Sequence, residues 1–315
     1  MNHIYPDYYT EFRCIASSCR HNCCIGWEID IDEDTLSIYK SIEGDFKERF
    51  EKNISLDETP HFILKENDRC PFLNDRNLCD IITEFGEGHL CHICTEHPRF
   101  HTELPQRVES GLGLSCEEAA RLILTKKSKT VLLGNTDTDD EIILFRDKII
   151  EAFQNRDLYI DERIENVLSL TKTEEYPFDR QDAKDFFLSL ERLDPLWEET
   201  LSLLDIAPCS ENTKEGKELL KEKPYLFEQF AVYLIYRHTA SAPTLFDSAI
   251  RVLFAIYSLR LITALSKGLY IKNGDFTDED FVELSRQFSS EIEYSDENLY
   301  EIFDRIENKF QEELL

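Results

Sequence analysis

Nine of the ten cysteines lie between Cys14 and Cys116, and only Cys209 lies in the remaining two thirds of the 315-residue chain. Thiols that merely fill a hydrophobic core would be scattered like other small apolar residues. In a reducing compartment, clustered thiols favour metal binding or redox chemistry over disulfides. We therefore expect the first third to fold around sulfur-bound metal, and Cys209 to be a buried apolar residue.

The expected compartment is the cytoplasm. The first residues, "MNHIYPDYYTEF", lack the basic start and apolar stretch of a signal peptide. No apolar run approaches the roughly 20 residues that span a bilayer, so no membrane insertion is expected. The formal net charge of −29 argues against nucleic acid as a partner and would attract a lysine-rich protein surface, although it also serves solubility.

The cysteine-rich part predicts few long elements. The alternation in "WEIDID" (27–32) indicates a half-buried strand, and the following apolar spacing through Phe46 indicates a helix. Two further strand regions are predicted at 61–67 and 69–82, the second with a hairpin turn at 74–77.

A helix is then predicted to begin at Ser115 and to continue to about Lys126. Ser115 and Glu118 have the form of a capping box. From Glu141 onward, apolar residues recur at helical spacing, and Thr277 with Asp280 gives another start signal.

The predicted fold is mainly α. It consists of a cysteine-rich, irregular N-terminal module with a few short strands, docked on a C-terminal all-helical body. The predicted boundaries are 1–126 for the module and 135–315 for the helical part. The pattern leaves open whether these are two domains or one.

The cysteine spacing indicates a metal site without identifying the metal. Cys19-x₃-Cys23 and Cys91-x₂-Cys94 have the spacing of zinc knuckles, but the other intervals are wider. The neighbours Cys23 and Cys24 are expected to have diverging side chains. They would then serve two centres, or one would be a ligand and the other packed beside it. Eight thiolates would suit two four-ligand centres, and four with spare thiols would suit one iron–sulfur cluster.

Four histidines accompany the cysteines. They are His21, His89, His92 and His97. Histidine can bind zinc or replace cysteine at iron. With thiols in surplus, we expect most of these imidazoles to support the site from outside the ligand set.

Four blocks in order resemble the flagellin lysine-N-methylase family. The blocks are "CIASSCRHNCCIGWEIDID", "RCPFLNDRNLC", "CTEHPRF" and "GLSCEEAARLIL". The likeness extends more loosely to "EQFAVYLIYRH" (228–238). The cysteine pattern is also similar to that of proteins described as zinc- or iron-chelating.

The resemblance implies methyl transfer from S-adenosylmethionine to the ε-amine of surface lysines of flagellin, with a [4Fe–4S] cluster. Zinc is the alternative metal. Cys91 ranks below the cysteines that match the family's positions. The matching residues are Cys14, Cys19, Cys23, Cys24, Cys70, Cys79, Cys94 and Cys116. The chain has no G-x-G-x-x-G turn, so the methyl donor would bind elsewhere.

A methylated lysine must first lose a proton, which calls for burial or a nearby base. Weak catalytic candidates on the aromatic helix are Tyr233, Tyr236 and Arg237, with Tyr225 and Glu228 beside them. Aromatic stripes at helical spacing are more typical of core packing. The rival function is a zinc- or iron-binding structural, interaction or metal-handling protein without catalytic activity.

Overall fold

Two compact units make up the chain. In the computed structural model, Arg13–Phe100 form one unit, and the residues up to Phe12 together with those from His101 onward form the other. The structure describes residues 2–206, 219 and 221–313, with side chains through residue 310, so Cys209 lies outside the described residues. This division differs from the predicted 1–126 and 135–315. The N-terminal strand pairs with a strand after residue 100, and local sequence patterns do not reveal such long-range pairing.

The unit Arg13–Phe100 is built from short elements. They are helices α1 (Glu33–Ser41), α2 (Asp45–Asn53), α3 (Asp80–Phe85) and α4 (His92–Glu96), with strands β2 (Ile54–Ser55) and β3 (His61–Phe62). Residues 27–32 alternate in burial as predicted, yet they form only one isolated bridge, Asp30 to His61, rather than a strand. The turn at 74–77 is confirmed by the hydrogen bond from Asn77 N to Asn74 O of 3.0 Å.

The second unit contains a four-stranded sheet that an all-helical prediction did not include. Its strands are β1 (Asn2–Pro6), β4 (Arg99–Leu104), β5 (Arg107–Leu112) and β6 (Leu132–Leu133), in the order β4-β5-β1-β6. Strand β1 runs parallel to β5 and antiparallel to β6. The N-terminal residues are therefore held by backbone hydrogen bonds in the helical unit.

Helices form the remainder of this unit, and the mainly α fold is confirmed. They are α5 (Glu117–Leu124), α6 (Glu141–Phe153), α7 (Ile160–Thr171), α8 (Arg180–Ser189), α9 (Leu196–Leu201), α10 (Leu203–Ile206), α11 (Pro224–Thr239), α12 (Leu245–Asn273), α13 (Asp278–Phe288) and α14 (Asp296–Glu313). A π-helix, Ser289–Glu293, joins α13 to α14. The capping box at Thr277 is confirmed. The predicted cap at Ser115 is wrong: Cys116 is the N-cap of α5, and the Ser115 hydroxyl has no partner among the described residues.

Helix α12 is the central helix of this unit. By length and composition it could cross a membrane, a property that the sequence reading missed because serine, threonine and arginine interrupt its apolar residues. However, 89% of its most apolar window is buried inside the protein. Helix α12 therefore has the burial of a core helix.

We predict that the substitution Gly268→Ala destabilises the contact between α10 and α12. A Cβ at Gly268 would lie 2.2 Å from the Leu203 carbonyl oxygen, so the two helices would have to separate. We expect a loss of about 2 kcal/mol in the free energy of unfolding, measured by urea denaturation. Gly88→Ala is the control, since a Cβ there meets nothing within 4 Å. Equal free energies of unfolding for the two variants would show that α10 and α12 can move apart without a loss of stability.

Candidate metal centre

Five thiols share the hydrophobic core of the unit Arg13–Phe100. Cys70 and Cys91 are buried, and the other three pack against the same core while partly buried. The five are Cys24, Cys70, Cys79, Cys91 and Cys94. They are separated by up to 70 positions in sequence, and the fold brings them together among stacked aromatic rings such as Tyr39 and Phe50.

Cys91 and Cys94 form the closest pair. Cys91 is the N-cap of α4, and its Sγ lies 3.2 Å from the Sγ of Cys94. Two thiolates about 2.3 Å from one tetrahedral ion would lie about 3.8 Å apart, close to the observed separation. The shared hydrogen bond lowers the pKa of Cys91, whereas that bond and burial raise the pKa of Cys94. The negative charge of this pair is therefore expected on Cys91.

Cys23 and Cys24 interact with each other, contrary to the expectation that these neighbours diverge. Cys23 is exposed and Cys24 is half-buried. A hydrogen bond with Cys24 lowers the pKa of Cys23, and the same bond, followed by burial and the charges of Cys23, Cys70 and Cys79, raises that of Cys24. The Cys24 carbonyl also accepts a hydrogen bond of 2.9 Å from Cys70 N, which ties the first cysteine segment to the core.

Cys14, Cys19 and Cys116 are predicted ligands that are not part of that core. Cys14 is exposed, and its Sγ accepts a hydrogen bond of 3.4 Å from Ala16 N. The Cys19 thiol donates to the His21 carbonyl at 3.2 Å. Cys116 belongs to the other unit, where it caps α5. Neither Cys14 nor Cys19 is among the thiols packed in the hydrophobic core of this unit.

The polar neighbours of the core thiols are an imidazole and a phenol. Burial lowers the pKa of His97 to about 4, so its ring is neutral near pH 7. Burial and the charges of Cys91, Cys94 and Cys79 raise the pKa of Tyr39, whose hydroxyl donates to the His89 carbonyl at 2.8 Å. The Nδ1 atom of His89 is buried and has no hydrogen-bond partner in the part of the chain that the structure describes.

The donor chemistry of this core suits a soft metal. Five thiols with imidazole nitrogen donors nearby are typical ligands of zinc or an iron–sulfur cluster. Within the described ranges, no three Cys, His, Asp or Glu side chains already stand in the arrangement of a metal site. The thiols would therefore have to adjust their side-chain positions to close around a metal.

The catalytic candidates lie in the helical unit as buried groups. Tyr233 is 1% exposed and Tyr236 is 3% exposed. Burial raises the pKa of both phenols, which makes either a poor base near neutral pH. Arg237 Nε lies 3.3 Å from Glu293 Oε1.

The other two candidates on α11 form ion pairs or hydrogen bonds. Glu228 accepts from Arg156 and Arg163 at 2.8 Å each, and Tyr225 donates to Asp278 at 2.7 Å. These contacts are those of a packed helix. Sequence reasoning missed Glu293, because a lone glutamate after a helix gives no local signal that it is buried.

Described residues of the helical unit line a cavity and a groove. An enclosed cavity of about 10 Å³, between Tyr8, Tyr233 and Tyr236, has room for about one water molecule. An open groove of about 260 Å³ is lined by leucines and by Glu199, Asp280 and Glu283. The groove is slightly smaller than most small-molecule pockets.

Comparison with known proteins points to the same family that the cysteine blocks resemble. Residues 181–314 match the family described as "FliB lysine N-methylase C-terminal domain". This match covers the helices from α8 onward and not the cysteine blocks. It includes the whole of α11, the π-helix and Glu293.

Two curated relatives are similar to this chain. A "Lysine-N-methylase" of Salmonella typhimurium is 29% identical over 144 residues, which cover 42% of this chain and 34% of the relative. A "Flagellar biosynthetic protein FliU" of Salmonella muenchen is 30% identical over 132 residues, covering 38% of this chain and 75% of the relative. The match thus spans about a third of the length of the lysine-N-methylase. No solved structure matches the chain.

Proposed function

The chain belongs to the flagellin lysine-N-methylase family, and on that premise we propose that it transfers methyl groups from S-adenosylmethionine to lysine ε-amines of flagellin in the cytoplasm. The observation that carries this proposal is the similarity to a relative named lysine-N-methylase. The net charge of −29 supports a lysine-bearing protein partner, since it attracts positive surfaces.

The reaction requires a neutral lysine. The ε-ammonium first loses a proton to a base, and the amine nitrogen then forms a bond to the methyl carbon. The bond from that carbon to the sulfonium sulfur breaks, and sulfur keeps the electron pair as a thioether. Burial of the amine would assist the first step by disfavouring its charged form. The raised pKa values of Tyr233 and Tyr236 argue for a base elsewhere.

We also propose that the core thiols hold a [4Fe–4S] cluster. The set would be drawn from Cys24, Cys70, Cys79, Cys91 and Cys94, which share one core. When bound, the metal would supply positive charge that stabilises the thiolates and fixes the fold of this unit.

Zinc is the second candidate, and the Cys91–Cys94 distance of 3.2 Å favours it. That separation fits two ligands of one ion better than ligands of two different irons. The alternative function that goes with zinc is a structural or interaction role. Anaerobic purification distinguishes the metals, because an iron–sulfur protein is coloured and a zinc thiolate site is colourless.

We predict that the anaerobically purified chain methylates flagellin. Purified flagellin would be incubated with the chain and S-adenosylmethionine carrying a deuterated methyl group, and lysine peptides would be analysed by mass spectrometry. Deuterated methyl-lysine is expected only when both protein and methyl donor are present. Complete metal loading with no labelled lysine would contradict the enzyme and favour the structural role.

A further inference from the structure

A buried polar network surrounds Glu293 at the end of the π-helix. Glu293 Oε1 lies 2.7 Å from His238 Nε2 and 3.3 Å from Arg237 Nε. Both carboxylate oxygens also accept from the Tyr233 hydroxyl at 3.1 Å. Burial alone would raise the pKa of Glu293, but the charge of Arg237 and the bond with His238 hold it below its usual value. Glu293 is therefore an ionised carboxylate inside the protein.

The Tyr233 hydroxyl uses its full hydrogen-bonding capacity. A phenol offers one donor and can accept two hydrogen bonds. Tyr233 donates to Glu293 and accepts from Arg237 Nη1 at 2.7 Å and from Leu114 N at 3.2 Å. Because Glu293 takes the proton, the oxygen lone pairs are left for Arg237 and Leu114. The carboxylate thus orients the hydroxyl toward the backbone of Leu114.

Leu114 lies in the turn that carries Cys116. The turn is closed by a hydrogen bond from Cys116 N to Gly113 O of 3.4 Å, and α5 begins directly after it. Leu114 is fully buried, so its N–H has no access to water as an alternative acceptor. The Ser115 hydroxyl has no partner within this part of the structure. Tyr233 is therefore the side chain that anchors the first amide of the turn.

The π-helix explains how Glu293 reaches this position. Single-turn π-helices are rare and occur often at functional sites. Ser289–Glu293 forms such a turn between α13 and α14, and Glu291 and Glu293 are both buried there. Glu291 accepts from the backbone of Leu193 at 3.0 Å, whereas Glu293 faces the side chains of α11.

We propose that Tyr233 is a positioning residue that fixes the Gly113–Cys116 turn and thereby places the Cys116 thiol, with Glu293 orienting the Tyr233 hydroxyl. Cys116 lies outside the thiol set of the proposed cluster, so the ordering of this turn does not depend on the proposed function. Tyr233, in the segment "EQFAVYLIYRH" of α11, would then have a positioning role and not a role in proton transfer.

The test measures how fast the Cys116 thiol is alkylated in the metal-free, full-length protein. Trypsin releases residues 108–121, a peptide whose sole cysteine is Cys116, so its rate with iodoacetamide can be read by mass spectrometry. Tyr233→Phe leaves the buried Leu114 N–H without an acceptor. We expect the rate to rise about tenfold, which corresponds to about 1.4 kcal/mol of lost local stability.

Tyr236→Phe is the matched control. Tyr236 is also buried on α11, but its hydroxyl donates to Ser110 O at 3.0 Å, in strand β5. Its substitution is expected to change the Cys116 rate less than twofold. Peptide 77–99, which contains Cys79, Cys91 and Cys94, serves as an internal reference for global unfolding. If the alkylation rates of both peptides rise in Y233F, the variant Glu293→Gln is used in its place. In that variant the alkylation rate is expected to rise in peptide 108–121 and not in peptide 77–99.

A rise below twofold in folded Y233F, or an equal rise in Y236F, would overturn the proposal. If Y233F unfolds, an unchanged alkylation rate of peptide 108–121 in E293Q would also overturn the proposal. If the wild-type chain methylates no lysine, the proposed function fails while the alkylation result still decides the role of Tyr233.

Discussion

Cys91→Ser is expected to lose far more bound metal than Cys14→Ser. The family resemblance ranks Cys14 among the ligands and Cys91 below them, whereas the fold buries Cys91 in the thiol core and leaves Cys14 exposed. Removing a group that only supports a metal ligand typically costs 10–100-fold in affinity. Loss of a ligand itself should therefore cost at least about 100-fold.

The physical reason is the pairing of Cys91 with Cys94. Their sulfurs are already 3.2 Å apart, and the hydrogen bond with Cys94 lowers the pKa of Cys91, which favours its thiolate form. Metal binds thiolates and not thiols. A serine at position 91 removes this thiolate, while burial and the charges of Cys24 and Cys70 still act to raise the pKa of Cys94.

The measurement is metal per chain by elemental analysis after anaerobic purification, with dissociation followed against a chelator. Cys209→Ser is the control, since Cys209 lies outside every cysteine block of the sequence. We expect C209S to retain full metal and C91S to retain little. Equal metal in C91S and the wild type, with loss in C14S, would place the centre on the exposed segment instead of the core.

The sequence predicted the cysteine-rich unit because its signal is compositional. Nine clustered thiols are visible without any knowledge of the fold. Which thiols share a core is set by contacts between distant segments, such as the hydrogen bond from Cys70 N to Cys24 O. Spacing gave Cys91 and Cys94 the interval of a zinc knuckle, and the family resemblance ranked Cys91 below the other eight cysteines. The packing of Cys91 beside Cys94 is visible only in the structure.

Helices were predicted better than strands for a related reason. Helical periodicity is local, and the start at Thr277 is confirmed by a capping box. The β1–β5 pairing joins Asn2 to Arg107, and no local sequence pattern near either residue predicts this pairing. The α5 start shows the limit of a local rule: Glu118 has the spacing of a capping box, yet its carboxylate binds Arg121.

Buried charged groups are the least predictable features of this chain. Glu109, in β5, and Arg146, in α6, are 1% and 0% exposed and form an ion pair with each other. In the sequence they are ordinary charged residues. Their burial follows from packing α6 beside strands whose own positions depend on long-range pairing.

We predict that Glu109→Gln destabilises the helical unit by about 3 kcal/mol. Burial by itself would lower the pKa of Arg146, but the charges of Glu109 and Asp147 and their hydrogen bonds together raise that pKa. Arg146 Nη2 lies 3.2 Å from Glu109 and 2.8 Å from Asp147, which is partly exposed. Glutamine keeps the shape of Glu109 and removes its charge, so the buried guanidinium loses its buried counter-ion.

A second arginine increases the loss of stability that is expected for Glu109→Gln. Arg107 Nε lies 3.3 Å from Glu109, and Arg107 Nη2 is buried without a hydrogen-bond partner in this part of the structure. In E109Q, two buried guanidinium groups would face a neutral amide. Arg146 also lies over the Tyr236 ring at 5.2 Å, so the disturbance is expected to reach α11.

Fluorescence of Trp197 during urea denaturation measures this effect in one unit. The chain has two tryptophans, and Trp27→Phe leaves only Trp197, which is buried in the helical unit. Glu198→Gln is the control, because its ion pair with Arg192 is exposed and contributes at most about 1 kcal/mol. In thermal scans E109Q is expected to melt about 6–12 °C lower, and a melting temperature equal to that of E198Q would show that solvent reaches the buried arginines.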